Sequence, residues 1–323
     1  MDEGAGTAGR RVRIGATDLV VAPIAVGAWA WGERRYWGYG DRFGPKEVVD
    51  AFVASADAGV ELFDTAEVYG DGESEKILGW MAQKRGGPIA VATKFGLLPG
   101  RDARWVPRAL DASLRRLRLS RVDLYQIHWP DRTMASIDAL MGGLAAAVTD
   151  GKARAVGVSN FNASEMRDAH AALGRHGVPL ASNQVRYSLL DRAPEADGVL
   201  DACRALGVTL LAYSPLAQGI LTGKYAPGRA PAGPRAGHPE FADAELAEAA
   251  PLVGLLGEIG AAHAGARPEQ VALAWLLAKG VVPIAGAKTG EEARINAGAM
   301  ALVLAPGEVE ALDRASERWR KAR

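Results

Sequence analysis

Eight short apolar or β-branched runs recur along this chain, at residues 24–27, 61–63, 89–93, 122–127, 153–158, 181–185, 209–212 and 281–284. Stretches with the 3.6-residue period of an amphipathic helix lie between them, for instance at 47–58, 74–84, 107–117, 137–150 and 195–206. Pro107 suits a first helical position, and Gly59, Gly151 and Gly207 suit the left-handed residue that follows a helix. Strands that alternate with helices pair in parallel, and eight of them in 323 residues predict a closed (β/α)8 (TIM) barrel. A doubly wound open sheet is the alternative.

Three segments fall outside that rhythm. Residues 11–14 and 19–21 flank the turn-forming Gly15-Ala16-Thr17-Asp18 and predict an N-terminal β-hairpin ahead of the barrel. Residues 225–241 are dense in Gly and Pro, too irregular for one element, and predict an excursion over the barrel mouth after the seventh strand. Residues 242–264 and 268–279 read as helices before the eighth strand, and 306–323 as a C-terminal helical tail packing back on the barrel. The expected organisation is a flexible tail at 1–10 and one barrel domain at 11–323.

In such a barrel, side chains at the C-terminal ends of the strands share one mouth. Polar residues stand at successive strand ends here: Asp64, Lys94, His128, Ser159-Asn160, Gln184 and Tyr213-Ser214, with Tyr69 just past Asp64. Each has a structural reading when taken alone. Asp64 could cap a turn, Tyr69 could be a loop tyrosine, Lys94 could solubilise a strand end, and His128 could be a satisfied core histidine. Taken together they form a proton-transfer set. A phenol titrates near 10, and an ammonium beside it is expected to lower that value by about 1–3 units. Lys94 would supply the ammonium, Asp64 would hold it protonated against burial, and His128 would present an N–H to a carbonyl oxygen.

That set can deliver a proton but no hydride, so a nicotinamide or flavin is required. Asn160 and Gln184 could hold a carboxamide while Tyr213 stacks on its ring. No Gly-x-Gly-x-x-Gly opens a helix, and Gly286-Ala287-Lys288-Thr289 lacks the glycine spacing of a P-loop. Lys288, Thr289 and Arg294 could instead surround a phosphate monoester, which NADP carries and NAD lacks. A solvated basic helix start is the other reading of these three.

These pieces resemble the aldo-keto reductase family from about residue 11 to 299. The resemblance is carried by Leu62-Phe63-Asp64-Thr65-Ala66-Glu67-Val68-Tyr69-Gly70, Ala92-Thr93-Lys94-Phe95-Gly96 and Asp123-Leu124-Tyr125-Gln126-Ile127-His128-Trp129-Pro130. Gly157-Val158-Ser159-Asn160-Phe161, Asn183-Gln184-Val185, Tyr213-Ser214-Pro215-Leu216, Leu221-Thr222-Gly223-Lys224-Tyr225 and Gly286-Ala287-Lys288-Thr289 continue it in order. The resemblance implies a barrel with no separate dinucleotide domain, a hairpin closing its bottom, and NADP(H) extended across its top. It implies Tyr69 as proton donor, Lys94 and Asp64 as the residues that tune it, and His128 as the residue that orients substrate. It further implies cofactor contacts from Gly27, Ala28, Trp29 and Asp64, from Ser159, Asn160 and Gln184 at the carboxamide, and from Tyr213 as stacking ring. Ser214, Leu216, Gly219 and Lys224 match the pyrophosphate stretch, and Gly286, Lys288, Thr289, Arg294 and Asn296 the adenosine-phosphate end. Where relatives often have Pro-Gly this chain has Ala285-Gly286, and where they often have Gln and Glu near the adenine it has Glu292 and Ile295.

The loop after the first strand is rich in aromatic residues. Trp29, Trp31 and Trp37, with Tyr69, His128 and Trp129 across the mouth, are candidate substrate contacts, although Trp31 could equally pack the loop. Aromatic walls favour a flat or apolar carbonyl compound, and the segment looks like the pyridoxal reductase branch of the family. Two other functions stay open: a Schiff-base aldolase using Lys94, and a non-catalytic NADPH-sensing protein resembling channel β-subunits.

Composition narrows the partners. Lys plus Arg and Asp plus Glu both count 38, so no global field favours nucleic acid or an acidic membrane surface. No apolar run approaches the roughly 18 residues of a membrane span. The single cysteine, Cys203, rules out an internal disulfide or a cysteine-built metal site, and a reducing, cytoplasmic setting is expected. A small-molecule carbonyl substrate, no metal, and a monomer or weak homo-oligomer complete the expectation.

Overall fold

A computed structural model describes residues 11–96, 98–131 and 133–322. The expected tail at 1–10 lies outside the described residues. The apolar runs become eight parallel strands, β3 (Ala25–Gly27), β4 (Leu62–Asp64), β5 (Ala90–Phe95), β6 (Val122–Ile127), β7 (Ala153–Ser159), β8 (Leu180–Arg186), β9 (Thr209–Tyr213) and β10 (Val282–Gly286). Each pairs with its neighbours in sequence, and β10 returns to pair with both β9 and β3, so the sheet closes into a barrel. The interior is filled by small and branched side chains, among them Ala25, Leu62, Ala92, Leu124, Ala155, Ala181, Leu211 and Ile284.

Before the barrel, β1 (Val12–Arg13) and β2 (Val20–Val21) form the antiparallel hairpin. Its apolar residues Ile14, Leu19 and Val21 join the interior cluster, and its turn is anchored where the Gly15 N–H donates to Thr209 Oγ1 at 2.8 Å. Gly15 has to be glycine. Its φ is +57°, and a Cβ would lie 2.6 Å from the Ala181 carbonyl oxygen. The hairpin therefore stoppers the end of the barrel opposite the strand C-termini.

Outside lie α1 (Pro45–Asp57), α2 (Glu73–Arg85), α3 (Trp105–Leu117), α4 (Ile137–Thr149), α5 (Ala163–Gly174), α6 (Ala193–Ala196), α7 (Val199–Leu206), α8 (Asp243–Ala262), α9 (Pro268–Ala278), α10 (Gly290–Gly298) and α11 (Pro306–Ala315). Two boundaries differ from the periodicity. Helix α3 begins at Trp105, so Pro107 is its third residue, and the helix expected over 195–206 is split at Gly198, whose φ is +77°. The tail folds back as α11: Leu312 is buried, and Asp313 accepts hydrogen bonds from Trp275 Nε1 at 3.0 Å and Lys279 Nζ at 2.7 Å.

Strand register brings the polar strand ends to one rim. Gly27 stands beside Asp64, Lys94 beside Gln126, Ser159 beside Gln184, and Tyr213 beside Ile284. The excursion at 225–241 contains two short 3-10 turns, Gly233–Gly237 and Pro239–Phe241. It lies against the rim: Arg235 donates to the Gln218 carbonyl at 2.6 Å, and Arg42 of the loop after β3 donates to the Ala232 carbonyl at 2.8 Å.

Candidate active site

At the bottom of the rim sits a buried charge. Lys94 points inward from β5 with its side chain fully buried, and its Nζ lies 2.6 Å from Asp64 Oδ2, 2.8 Å from the Thr65 carbonyl and 3.4 Å from Tyr69 Oη. Asp64 Oδ1 accepts in turn from Gln184 Nε2 at 2.9 Å and Gln126 Nε2 at 3.5 Å. Both ions are thus paired and hydrogen-bonded, which is what burial of charge requires. Burial alone would drive Lys94 toward neutrality, but Asp64 and Tyr69 more than offset it and hold its pKa above the ordinary lysine value.

Tyr69 reaches this ammonium from a short 3-10 turn, Tyr69–Gly72. Gly70 has φ +56°, and a Cβ there would meet the Gly32 carbonyl at 2.8 Å, so the close approach of the tyrosine turn to the loop after β3 depends on glycine. The expected lowering of the Tyr69 pKa is not found. Burial disfavours phenolate by more than Lys94 recovers, Asp64 adds repulsion, and the value is raised. The site therefore holds a neutral phenol against an ammonium.

His128 follows β6, its ring 5.7 Å from that of Tyr69 and edge-on to it. Burial and then the Lys94 charge push its pKa down to about 3. The imidazole is neutral at physiological pH, carrying one N–H donor and one acceptor nitrogen.

Asp64, Tyr69 and His128 open onto a cavity of about 500 Å³. Along one side run Ser159, Asn160, Gln184 and Tyr213. Asn160 adopts φ +62°, donates to the His128 carbonyl and to Ser159 Oγ, both at 3.0 Å, and accepts from Tyr213 Oη at 3.1 Å. Gln184 has given its N–H to Asp64, and no described residue donates to its Oε1. The cavity continues past Ser214, Leu216, Gly219 and Lys224 to Gly286, Lys288 and Asn296. Gly27 and Trp29 line it as well.

Four expected contacts fall elsewhere. Ala28 is fully buried, its N–H donated to the Asp64 carbonyl and its own carbonyl accepting from Ser74 Oγ, both at 2.8 Å. Trp31 is also fully buried. Its Nε1 donates to the Ala287 carbonyl at 2.8 Å, so it packs the loop and supports the segment before Lys288 instead of facing substrate. Thr289 caps α10, its hydroxyl accepting from the Glu292 N–H at 3.2 Å. Arg294 is exposed in a separate groove with Asp50, Asp57 and Glu291. Lys94, fully buried beneath Tyr69, does not line the cavity itself.

The cations that do converge are Lys288 with Lys224, Arg235 and Arg42. Burial lowers the Lys288 pKa, Glu292 opposes this, and the other three cations push it further down. Arg235, buried, lays its guanidinium 4.6 Å over the Trp37 ring, with Lys288 Nζ 5.4 Å from the same ring. Arg235 Nε and Trp37 Nε1 are buried donors without a hydrogen-bond partner among the described residues. Clustered cations and orphaned donors suit a phosphate-bearing ligand such as a dinucleotide. Arg235 and Arg42 were missed from sequence because their position depends on how the excursion folds back. Its Gly/Pro density was the only signal.

At the other end, Trp29 stacks on Tyr36 at 5.3 Å, meets Trp37 edge-on at 5.4 Å and lies 6.1 Å from Tyr69. Trp129, 54% exposed, stacks beside His128 at 6.3 Å. Val68 completes an apolar, aromatic mouth.

Comparison with known proteins fits this geometry. A profile of the aldo/keto reductase family matches residues 23–317. A chloroplastic pyridoxal reductase from Arabidopsis thaliana is 35% identical over 322 residues, covering 95% of this chain and 86% of its own. An aldo-keto reductase from Schizosaccharomyces pombe, named with NADP(+), is 34% identical over 282 residues, covering 81% of this chain and 80% of its own. Among solved structures, a glycerol dehydrogenase from Gluconobacter oxydans superposes with a TM-score of 0.83 at 30% identity, covering 95% of each chain. Agreement of that extent in both sequence and fold makes this chain a member of the aldo/keto reductase family, oxidoreductases acting on carbonyl compounds.

Proposed function

We propose that the chain reduces an aldehyde or ketone to the alcohol, with NADPH as the cofactor and Tyr69 as the proton donor. The observation that carries this is the contact of a neutral, half-buried phenol with a protonated lysine: Tyr69 Oη lies 3.4 Å from Lys94 Nζ, itself 2.6 Å from Asp64. When bound, NADPH would supply the hydride for the carbonyl carbon, a capacity that no side chain in the cavity has. As charge develops on the carbonyl oxygen, the phenol hands over its proton and the adjacent ammonium stabilises the phenolate left behind. The neutral imidazole of His128 donates its N–H to the same oxygen and so fixes the carbonyl in line with Tyr69. A protonated His128 would compete as acid and repel Lys94, and its depressed pKa avoids both.

For the cofactor, Asn160 and the Gln184 carbonyl are suited to a carboxamide, and Tyr213 to a nicotinamide ring. Lys288, Lys224, Arg235 and Arg42 are suited to its phosphates, and so many cations favour NADPH over NADH. The relative named with NADP(+) supports that preference. Trp29, Trp37 and Trp129 favour flat aromatic carbonyl compounds, and the pyridoxal reductase relative makes pyridoxal the first to try. An aldolase role for Lys94 gains no support, because a charged amine buried under Tyr69 cannot attack a carbonyl. The test follows NADPH absorbance with a panel of pyridoxal, aromatic aldehydes, methylglyoxal and ketosteroids. Turnover of aromatic members is expected. Cofactor binding without oxidation by any member would overturn the proposal in favour of a sensing role.

A further inference from the structure

Proton transfer needs the Tyr69 hydroxyl held beside Lys94, yet Tyr69 stands on a short turn and not on a strand. Behind the barrel wall, that turn runs straight into buried polar groups for which the chemistry itself has no use. Helix α2 starts at Glu73, and its next two residues, Ser74 and Glu75, are fully buried. Ser74 Oγ lies 2.8 Å from Thr65 Oγ1 and donates to the Ala28 carbonyl at 2.8 Å, which ties the helix start to the ends of β4 and β3. Glu75 Oε1 accepts from Thr93 Oγ1 at 2.6 Å, and Thr93 is the β5 residue next to Lys94.

The other carboxylate oxygen faces α3. Glu75 Oε2 accepts from Arg116 Nε at 2.5 Å, and Arg116 also donates to the buried Ser113 Oγ at 3.1 Å. The Arg116 stem lies against the end of the tyrosine turn: Gly72 has φ +85°, and a Cβ there would fall 2.7 Å from Arg116 Cδ. A carboxylate with no exposed surface is costly to bury, and apolar residues of similar shape often hold two elements together at least as stably as an ion pair does. What an apolar contact lacks is direction. Charge-assisted hydrogen bonds from β5 and α3 to one carboxylate fix where α2 begins.

We propose that Glu75, with Thr93 and Arg116, positions Tyr69: the network locks the start of α2 to the strand that carries Lys94 and so sets the distance from phenol to ammonium. This rests on Tyr69 being the proton donor. None of the three is among the described residues that line the cavity. They are positioning residues that act through Tyr69, and loosening them slows the proton transfer without weakening the hold on cofactor or aldehyde.

The test is a double-mutant cycle between Thr93→Val and Tyr69→Phe, read by single-turnover oxidation of NADPH with an aromatic aldehyde, per mole of protein that binds NADPH. Thr93→Val keeps the shape of the side chain and takes the donor from Glu75 Oε1. It should slow the reaction about 10-fold, against the roughly 100-fold that a misplacement of about 1 Å can cost. Kd for NADPH and KM for the aldehyde should stay within about twofold, and Thr93→Ser, which returns the hydroxyl, should recover most of the rate. In the Tyr69→Phe background, Thr93→Val should change the rate by less than about twofold, because no phenol is left to place. Arg116→Met keeps a stem against Gly72, removes the other donor from a partly exposed position, and should repeat the pattern if Thr93→Val fails to fold. A single variant as fast as wild type, or one that slows the Tyr69→Phe protein as much as the wild type, would make the network merely structural and overturn the proposal. If Tyr69→Phe alone is unimpaired, the proton-donor reading fails and the positioning role falls with it.

Discussion

The neutral state of His128 has a consequence for stability that can be worked out in numbers. Its folded pKa is about 3, against 6.5 for an unperturbed histidine, because burial and the Lys94 charge both oppose protonation. Above the unfolded value neither state binds the proton, and His128 adds no pH dependence. As pH falls below it, the unfolded chain takes up a proton that the folded chain refuses, so stability is lost progressively from 6.5 down toward 3. At about pH 5 that loss is roughly 2 kcal/mol, and at about pH 7 it is roughly 0.2 kcal/mol. Other groups also titrate in this range, so the effect is isolated by comparison with His128→Gln, which keeps an N–H donor and cannot be protonated. Urea unfolding of both proteins at the two pH values should show wild type losing about 2 kcal/mol more than the variant. Equal losses would refute the claim that the folded site excludes the imidazolium. The kinetic counterpart is a kcat/KM profile without an imidazole step between about pH 5 and 8.

Other perturbations separate the remaining roles. Asp64→Asn strips the buried Lys94 ammonium of its partner and should cost about 3–5 kcal/mol in chemical unfolding; a loss under about 1 kcal/mol, as for an exposed pair, would mean that Lys94 is not held as a buried ion. Lys288→Ala should raise the Kd for NADPH about tenfold or more and affect NADH much less, and equal effects would show that the extra phosphate is read elsewhere. Trp31→Ala, by emptying a fully buried site, should destabilise the protein by about 3–5 kcal/mol. Trp29→Ala should instead leave stability nearly unchanged and raise KM for aromatic aldehydes several-fold; an unchanged KM would remove Trp29 from the substrate wall.

What was legible in the sequence follows from where geometry is forced. A strand end in a closed parallel barrel has one place to point its polar residue, so Asp64, Lys94, Ser159, Gln184 and Tyr213 could be read from alternation alone, and Tyr69 and His128 from their nearness to those ends. Loops carry no such constraint. Trp29 and Trp31 are two residues apart, yet one lines the mouth and the other is buried against Phe63, with its indole N–H on Ala287. Thr289 and Arg294 were plausible phosphate ligands by residue type, but the start of α10 uses the hydroxyl as its cap, and the arginine lies in a different groove. Arg235 could not be found by pattern, since its place depends on the path of an irregular segment. The Tyr69 pKa was misjudged because a neighbouring charge is visible in sequence and the depth of burial is not.

The account stands most directly on Tyr69. Single-turnover oxidation of NADPH by an aromatic aldehyde, at saturating cofactor, should be about 10²–10⁴-fold slower in Tyr69→Phe than in wild type, with NADPH affinity nearly unchanged. A variant that reduces the aldehyde within tenfold of the wild-type rate would contradict the assignment of the proton to the phenol held by Lys94.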